Sequence, residues 1–296
     1  MTYLTYSDYI YNTDSISYTC IHWTGSKIDN DSVKKSSLFI PVQIKGIDKK
    51  LFMQLDLGAN ISLLYGKTLN SFEQLDSLLK TKHKTYKAKH YMQDVLIEIN
   101  QGTSIKANQI RILNNFGSEF IDTSFVVIGT LGYDIIGDQK LIIDYKNDRI
   151  ALTKTIPVEL ENKLTYISNV DLEKFPIILP FILNGKKVRL LYDTGSSLFP
   201  LITGTNRLNK YAKHQSVDTI FGLSSWGKIS KTYKVKDAAR LKLGDFDFGN
   251  IDVYGNKDLN RLKLMGKYLY GFTGNVNFDK MIVVIDRKDN KFGLIN

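Results

Sequence analysis

The sequence predicts a mainly β protein made of two copies of one unit, and three repeated features predict it. "MQLDLGANISLL" (53–64) and "LLYDTGSSLF" (190–199) each place an aspartate and a glycine at the end of an apolar run. Upstream of each aspartate, "LFIPVQIKG" (38–46) matches "IILPFILNG" (177–185), an apolar segment with an embedded proline that ends on a glycine turn. Downstream, "LGYDIIGDQKLIIDYKNDRIAL" (131–152) lies over "TGNVNFDKMIVVIDRKDNKFGL" (273–294) without a gap. Matches at three places in the same order define a tandem repeat.

The chain has 296 residues, of which 43% are hydrophobic and 24% charged, which suits one large unit or two lobes with a full core. The repeat sets the boundaries: an N-terminal extension over 1–32, lobes over 33–155 and 172–296, and a linker over 156–171. Within each lobe, β-branched and aromatic alternation broken by Gly, Asn and Asp reads as strands. "KLFMQLD" and "KVRLLYD" continue the opening strands, with a slip of two residues in the preceding turn. "LIIDYKNDRIAL" and "VVIDRKDNKFGL" read as hairpins, so Asp144 and Asp286 are structural turn residues. "SFEQLDSLLK" (71–80) gathers Phe72, Leu75, Leu78 and Leu79 on one helical face, and "NKDLNRLKLMGKYL" (256–269) is a second helix candidate.

Several function classes fall away. The longest apolar stretch, "FPIILPFIL" (175–183), has nine residues and two prolines, too short for a membrane span. The net charge of +10 is dispersed. Its densest part, "KTKHKTYKAKH" (80–90), reads as a solvated hairpin or loop and not as a nucleic-acid surface. Cys20 is alone, so no internal disulfide and no cysteine zinc site can form. His22, His83, His90 and His214 lack metal-ligand spacing, so neither a metal nor another cofactor is expected. "GLSSWGK" (222–228) has the glycine and lysine spacing of a phosphate loop, but Ile229 stands where a Ser or Thr is needed. A hairpin tip over a cleft, around Ser224–Trp226, fits that segment better. Its first-lobe counterpart is expected between 83 and 105, with Tyr86 or Tyr91 closing over substrate. No G-x-S-x-G or Cys/His nucleophile arrangement is visible.

A carboxylate at the end of an apolar strand is costly to desolvate unless something uses it. Two of them, one per repeat, can meet at a pseudo-twofold axis, where like charges in contact share one proton. One then serves as base toward water and the other as acid toward a carbonyl. Paired carboxylates also serve glycosidases, but those pairs need not come from a repeat.

"QLDLGANISLL" and "LLYDTGSSLFPLI" resemble the Asp-Thr/Ser-Gly signature of the aspartic protease superfamily, in a bacterial-type member, and the downstream glycine-and-hairpin segments resemble its second motif. Single lobes of this kind are similar to retropepsin-like proteases, and two on one chain to pepsin-like enzymes. The resemblance implies a bilobal, acid-protease-like fold, mainly β, with two related β-barrel lobes and a few short helices. It implies Asp56 and Asp193 as the catalytic dyad. Gly58 and Gly195 let the chain turn behind each carboxylate, Thr194 locks one loop to the other, and Ser196 bonds Asp193. It further implies an aspartic endopeptidase that acts on peptide or protein substrate as a monomer, with no cofactor, nucleic acid or membrane span. Leu57 departs from the family, which has Thr or Ser there, and Thr273 occupies an apolar position. Leu57 points to the alternative, a weak or inactive relative that binds peptide or a protein partner in its cleft. The first residues lack a basic start and an apolar centre, so export after removal of a leader is expected slightly ahead of a cytoplasmic location.

Overall fold

The computed structural model describes residues 9–12, 16–28, 31–71, 73–100, 102–118, 124–212, 216–225, 228–264 and 267–296. The first repeat contributes β1 (Asp31–Ile44), β2 (Leu51–Leu55), β3 (Leu63–Tyr65), β4 (Lys89–Asn100), β5 (Thr103–Leu113), β6 (Val126–Leu131), β7 (Lys140–Asp144) and β8 (Arg149–Thr153). The second contributes β9 (Ile178–Leu183), β10 (Lys186–Tyr192), β11 (Leu201–Gly204), β12 (Lys228–Leu243), β13 (Phe246–Asn256), β14 (Gly271–Thr273), β15 (Ile282–Asp286) and β16 (Lys291–Ile295).

Hydrogen bonding runs β1–β2–β6–β3–β5–β4 and returns from β4 to β1, a closed six-stranded barrel. The second repeat runs β9–β10–β14–β11–β13–β12 and returns to β9 in the same order. Strand directions agree as well. β6 is parallel to β2 and antiparallel to β3, as β14 is parallel to β10 and antiparallel to β11. Closure removes the open edges that a β-sheet otherwise exposes.

β7 and β15 join the two repeats as an antiparallel pair centred on Ile142 opposite Val284. These are equivalent residues of the two copies, so a pseudo-twofold axis passes between them. Both hairpins, β7–β8 and β15–β16, extend this shared sheet. Their turn aspartates are buried and structural: Asp144 accepts from Arg149 Nε at 2.8 Å, and Asp286 pairs with Lys140 at 3.1 Å.

The expected N-terminal extension is woven into these sheets. Tyr9–Asn12 pairs with β5, Thr19–Cys20 with β8, and His22–Ile28 with β1. Lys35 then ties β1 to Asp148 at 2.7 Å and to Asp279 of the second repeat at 2.9 Å. Part of the expected linker is ordered too: Val158–Glu161 is a helical turn, and Thr165–Tyr166 pairs with β16.

Two helix expectations met different outcomes. The first forms as Glu73–Lys82, two residues later than its apolar pattern, with Phe72 outside the described residues. The second is corrected. Residues 257–259 make one 3-10 turn, and Lys263–Leu264 then pairs with Lys267–Tyr268 as a small hairpin. That hairpin brings Leu269 N–H to Leu262 O at 3.3 Å, and both leucines join an apolar cluster with Leu191 and Phe272. Among the described residues, no helix is long and apolar enough to cross a membrane.

Candidate active site

Each barrel presents one carboxyl group by the same device. β2 ends beside β6, and the Asp56 N–H donates to Leu131 O at 2.9 Å. β10 ends beside β14, and the Asp193 N–H donates to Thr273 O at 2.9 Å. The chain then turns back on its own side chain: Gly58 N–H donates to Asp56 Oδ1, and Gly195 N–H to Asp193 Oδ1, both at 2.9 Å. The loops also interlock. A Cβ on Gly58 would collide with the Asp193 carboxyl, and a Cβ on Gly195 with the Asp56 carboxyl. Each glycine is required by the carboxyl group of the opposite loop.

The two carboxyl groups engage each other. Burial pushes the Asp56 pKa well above the ordinary carboxyl range, and the charge of Asp193 and a hydrogen bond with it push the same way. The Gly58 and Ala59 N–H groups oppose the shift without cancelling it. Asp193 is less deeply buried and is served by two donors, the Gly195 N–H and Ser196 Oγ, the latter at 2.7 Å from Oδ2. Ala59, which follows Gly58 as Ser196 follows Gly195, has no hydroxyl to give Asp56.

Thr194 is fully buried and grips the first loop: Oγ1 accepts from Leu57 N–H and donates to Leu55 O, both at 2.8 Å. Leucine returns nothing to the Thr194 N–H, so the grip is one-sided. Leu57 is itself fully buried in the main apolar core. Thr273 is also fully buried, and its hydroxyl accepts from Asn277 Nδ2 at 2.8 Å, which accommodates a polar residue at that apolar position.

A cavity of about 310 Å³ opens over the dyad, lined by Asp56, Asp193, Gly195 and Ser196 together with residues from both barrels. Gln54, Tyr65 and Thr130 line it from the first, and Phe199, Ile202 and Phe272 from the second. Gly58 and Thr194 hold the loops and do not face this space. Tyr86 and Tyr91 do not line it either. They belong to a hairpin, His83–Tyr86 with β4, whose turn residues Lys87 and Ala88 have positive φ. The second expected hairpin tip falls partly on residues 226–227, outside the described residues. Among the described residues no group of three or more His, Cys, Asp or Glu side chains is placed to hold a metal ion.

Sequence reasoning missed Gln54, Tyr65 and Thr130. Overlaying the repeats more closely exposes the first of them, because the copy of Gln54 is Leu191. It also missed Asn275, whose Nδ2 donates to Thr194 O at 2.9 Å and to Ser197 Oγ at 2.7 Å, fixing the second loop from beneath. No protein-family model matches the chain, and no curated protein matches it.

Proposed function

We propose that the chain is an aspartic-type endopeptidase with a bilobal, acid-protease-like arrangement of its two barrels. One observation carries the reading: equivalent carboxyl groups from two copies of one fold meet in a cleft, each packed against the glycine of the opposite loop. Asp56, buried and raised, is the acid, and Asp193, held by Gly195 and Ser196, is the base. Asp193 takes a proton from water, and the resulting hydroxyl attacks the peptide carbonyl carbon. Asp56 gives its proton to the carbonyl oxygen, producing a tetrahedral diol. Asp193 then gives its proton to the amide nitrogen while Asp56 takes one from a diol hydroxyl, so the C–N bond breaks into an amine and a carboxylic acid and the proton is back on Asp56, with no covalent intermediate.

The test is cleavage of a mixed peptide library across pH. The expected profile is bell-shaped on the acid side, with apparent values belonging to the pair. Asp56→Asn and Asp193→Asn are each expected to lower turnover by about a thousandfold or more while leaving the fold intact. Cleavage that survives in both variants defeats the proposal.

A second reading, a cleft that binds peptide without cutting it, is favoured by Leu57 alone, because a one-sided grip positions the dyad less firmly. The two readings separate on whether bound peptide is cut.

A further inference from the structure

The two barrels present different chemistry to the cleft at equivalent positions. In the first, parallel β2 and β6 set Gln54 opposite Thr130, and both line the cavity beside Asp56. In the second, parallel β10 and β14 set Leu191 opposite Phe272. Leu191 is buried in the cluster with Leu269, and Phe272 lines the cavity. Glutamine and threonine thus stand where the copy has leucine and phenylalanine.

The polar side is only partly satisfied from within. The Tyr65 and Thr130 hydroxyls bond each other. The Gln54 carboxamide is half-buried, and its side chain makes no hydrogen bond to any described residue. A half-buried amide facing a cleft exacts a cost from any ligand that covers it without pairing it.

The charge around it narrows the partner. Among the described residues no lysine, arginine or histidine lines the cavity, which contains Asp56, Asp193 and Asp258. A carboxylate side chain would meet repulsion with no cation to receive it. An ammonium would use the Gln54 carbonyl and leave its amide hydrogens without an acceptor. An aliphatic chain would leave both groups unpaired. A second carboxamide pairs donor with acceptor at both ends and brings no charge to desolvate.

Resting on the endopeptidase reading above, we infer that Gln54, set beside Thr130 and Asp56, makes the cleft select a neutral amide side chain on the first-barrel side of the scissile bond. That residue is asparagine or glutamine, and a large apolar residue packs against Phe272 and Ile202 on the other side.

The experiment uses peptides with a reduced, uncleavable bond, randomised at the two flanking residues, alongside the ordinary cleavable set. Binding of the reduced peptides to the full chain reads selectivity without requiring turnover. Amide-bearing peptides are expected to bind about tenfold or more tighter than their leucine counterparts, the scale of an unpaired polar group. Gln54→Leu is expected to reverse that order, and Gln54→Glu to move it toward lysine, each in a protein whose circular dichroism matches wild type. Binding with no amide preference, or a preference unchanged in both variants, overturns the inference. An amide preference without cleavage of the ordinary peptides defeats the endopeptidase reading and leaves the Gln54 selectivity for bound peptide standing, and cleavage without the preference does the reverse. No binding by any peptide defeats both.

Discussion

The loop after β2 and the loop after β10 carry matched carboxyl groups, but different chemistry holds them. Beneath the first, Asp134 accepts from Ser62 N–H, Ser62 Oγ and Tyr9 OH, each at 2.8 Å. Beneath the second, at the equivalent 3-10 turn, Asn275 donates to Thr194 O and Ser197 Oγ and accepts from Tyr145 OH at 2.7 Å. One loop rests on an ionisable acid and the other on a neutral amide. The first loop also has Leu57 and Ala59 where the second has Thr194 and Ser196. The second loop is thus held by hydroxyl and amide groups of its own repeat, and the first is gripped from across the axis and rests on a carboxyl group whose pKa burial raises. A duplicated fold fixes where two groups meet, and substitutions in one copy then divide the roles between them.

The largest effect that sharpens this contrast comes from the grip. Thr194→Val keeps the shape and removes the hydroxyl, leaving the Leu57 N–H and Leu55 C=O unpaired in a fully buried place. Unfolding by urea is expected to show a loss of about 3 kcal/mol, two unsatisfied buried groups at about 1–3 kcal/mol each. Ser196→Ala removes a bond from a partly exposed group on the same loop and is expected to cost about 1 kcal/mol or less. Equal costs would mean that the grip is no stronger than an ordinary surface contact.

Much of this was readable in the sequence because it is periodic or repeated. Asp56, Asp193 and the hairpins at Asp144 and Asp286 sit in segments that align without gaps, and strand alternation marks the barrels. Residues 256–269 misled because Leu262 and Leu269 recur at a spacing that suits a helix. A tight hairpin between them brings the same two leucines together, and periodicity alone does not separate the two cases. The woven N-terminal strands gave no repeat to compare, since the linker holds only the short Thr165–Tyr166 at a related edge. Gln54 and Thr130 were hidden for a different reason. Each is an ordinary residue in an ordinary strand, and it becomes informative only when the register sets it against its copy.

The pH contrast is the next test. Burial raises the pKa of both Asp56 and Asp134 above the ordinary value of 3.8, and both lie on the first-loop side. A carboxyl group raised by folding binds its proton more tightly in the folded state. Its contribution to stability is complete below pH 3.8 and is lost as pH rises through the folded value. Asp56→Asn removes one such group, so its melting temperature is expected to exceed wild type at pH 7.5 by about 2–4 °C, the scale of about 1 kcal/mol in a large domain. The gain is expected to vanish at pH 3.5. A gain that is the same at both pH values assigns the effect to packing and removes the first loop's pH dependence at this position.

The smallest effect concerns Leu57, where the asymmetry of the grip can be undone by one substitution. Leu57→Thr offers the Thr194 N–H an acceptor and gives the first loop a hydroxyl that can also donate across the axis. The cost is the apolar packing of a fully buried leucine, so the two terms offset and stability is expected to stay within about 1–2 kcal/mol of wild type. Turnover is the sensitive readout, because small misplacements of reacting groups are costly. A dyad held from both sides is expected to turn over peptide about two- to tenfold faster, with the KM unchanged, because the gain lies in positioning the carboxyl groups and not in contacts with substrate. The same substitution in Thr194→Val is expected to give no gain, since the opposite half of the grip is then missing. Turnover unchanged or lowered by Leu57→Thr in an equally stable protein would show that leucine at this position is a packing choice. The difference between the two loops would then lie in Ala59 against Ser196 and in Asp134 and Asn275 beneath them.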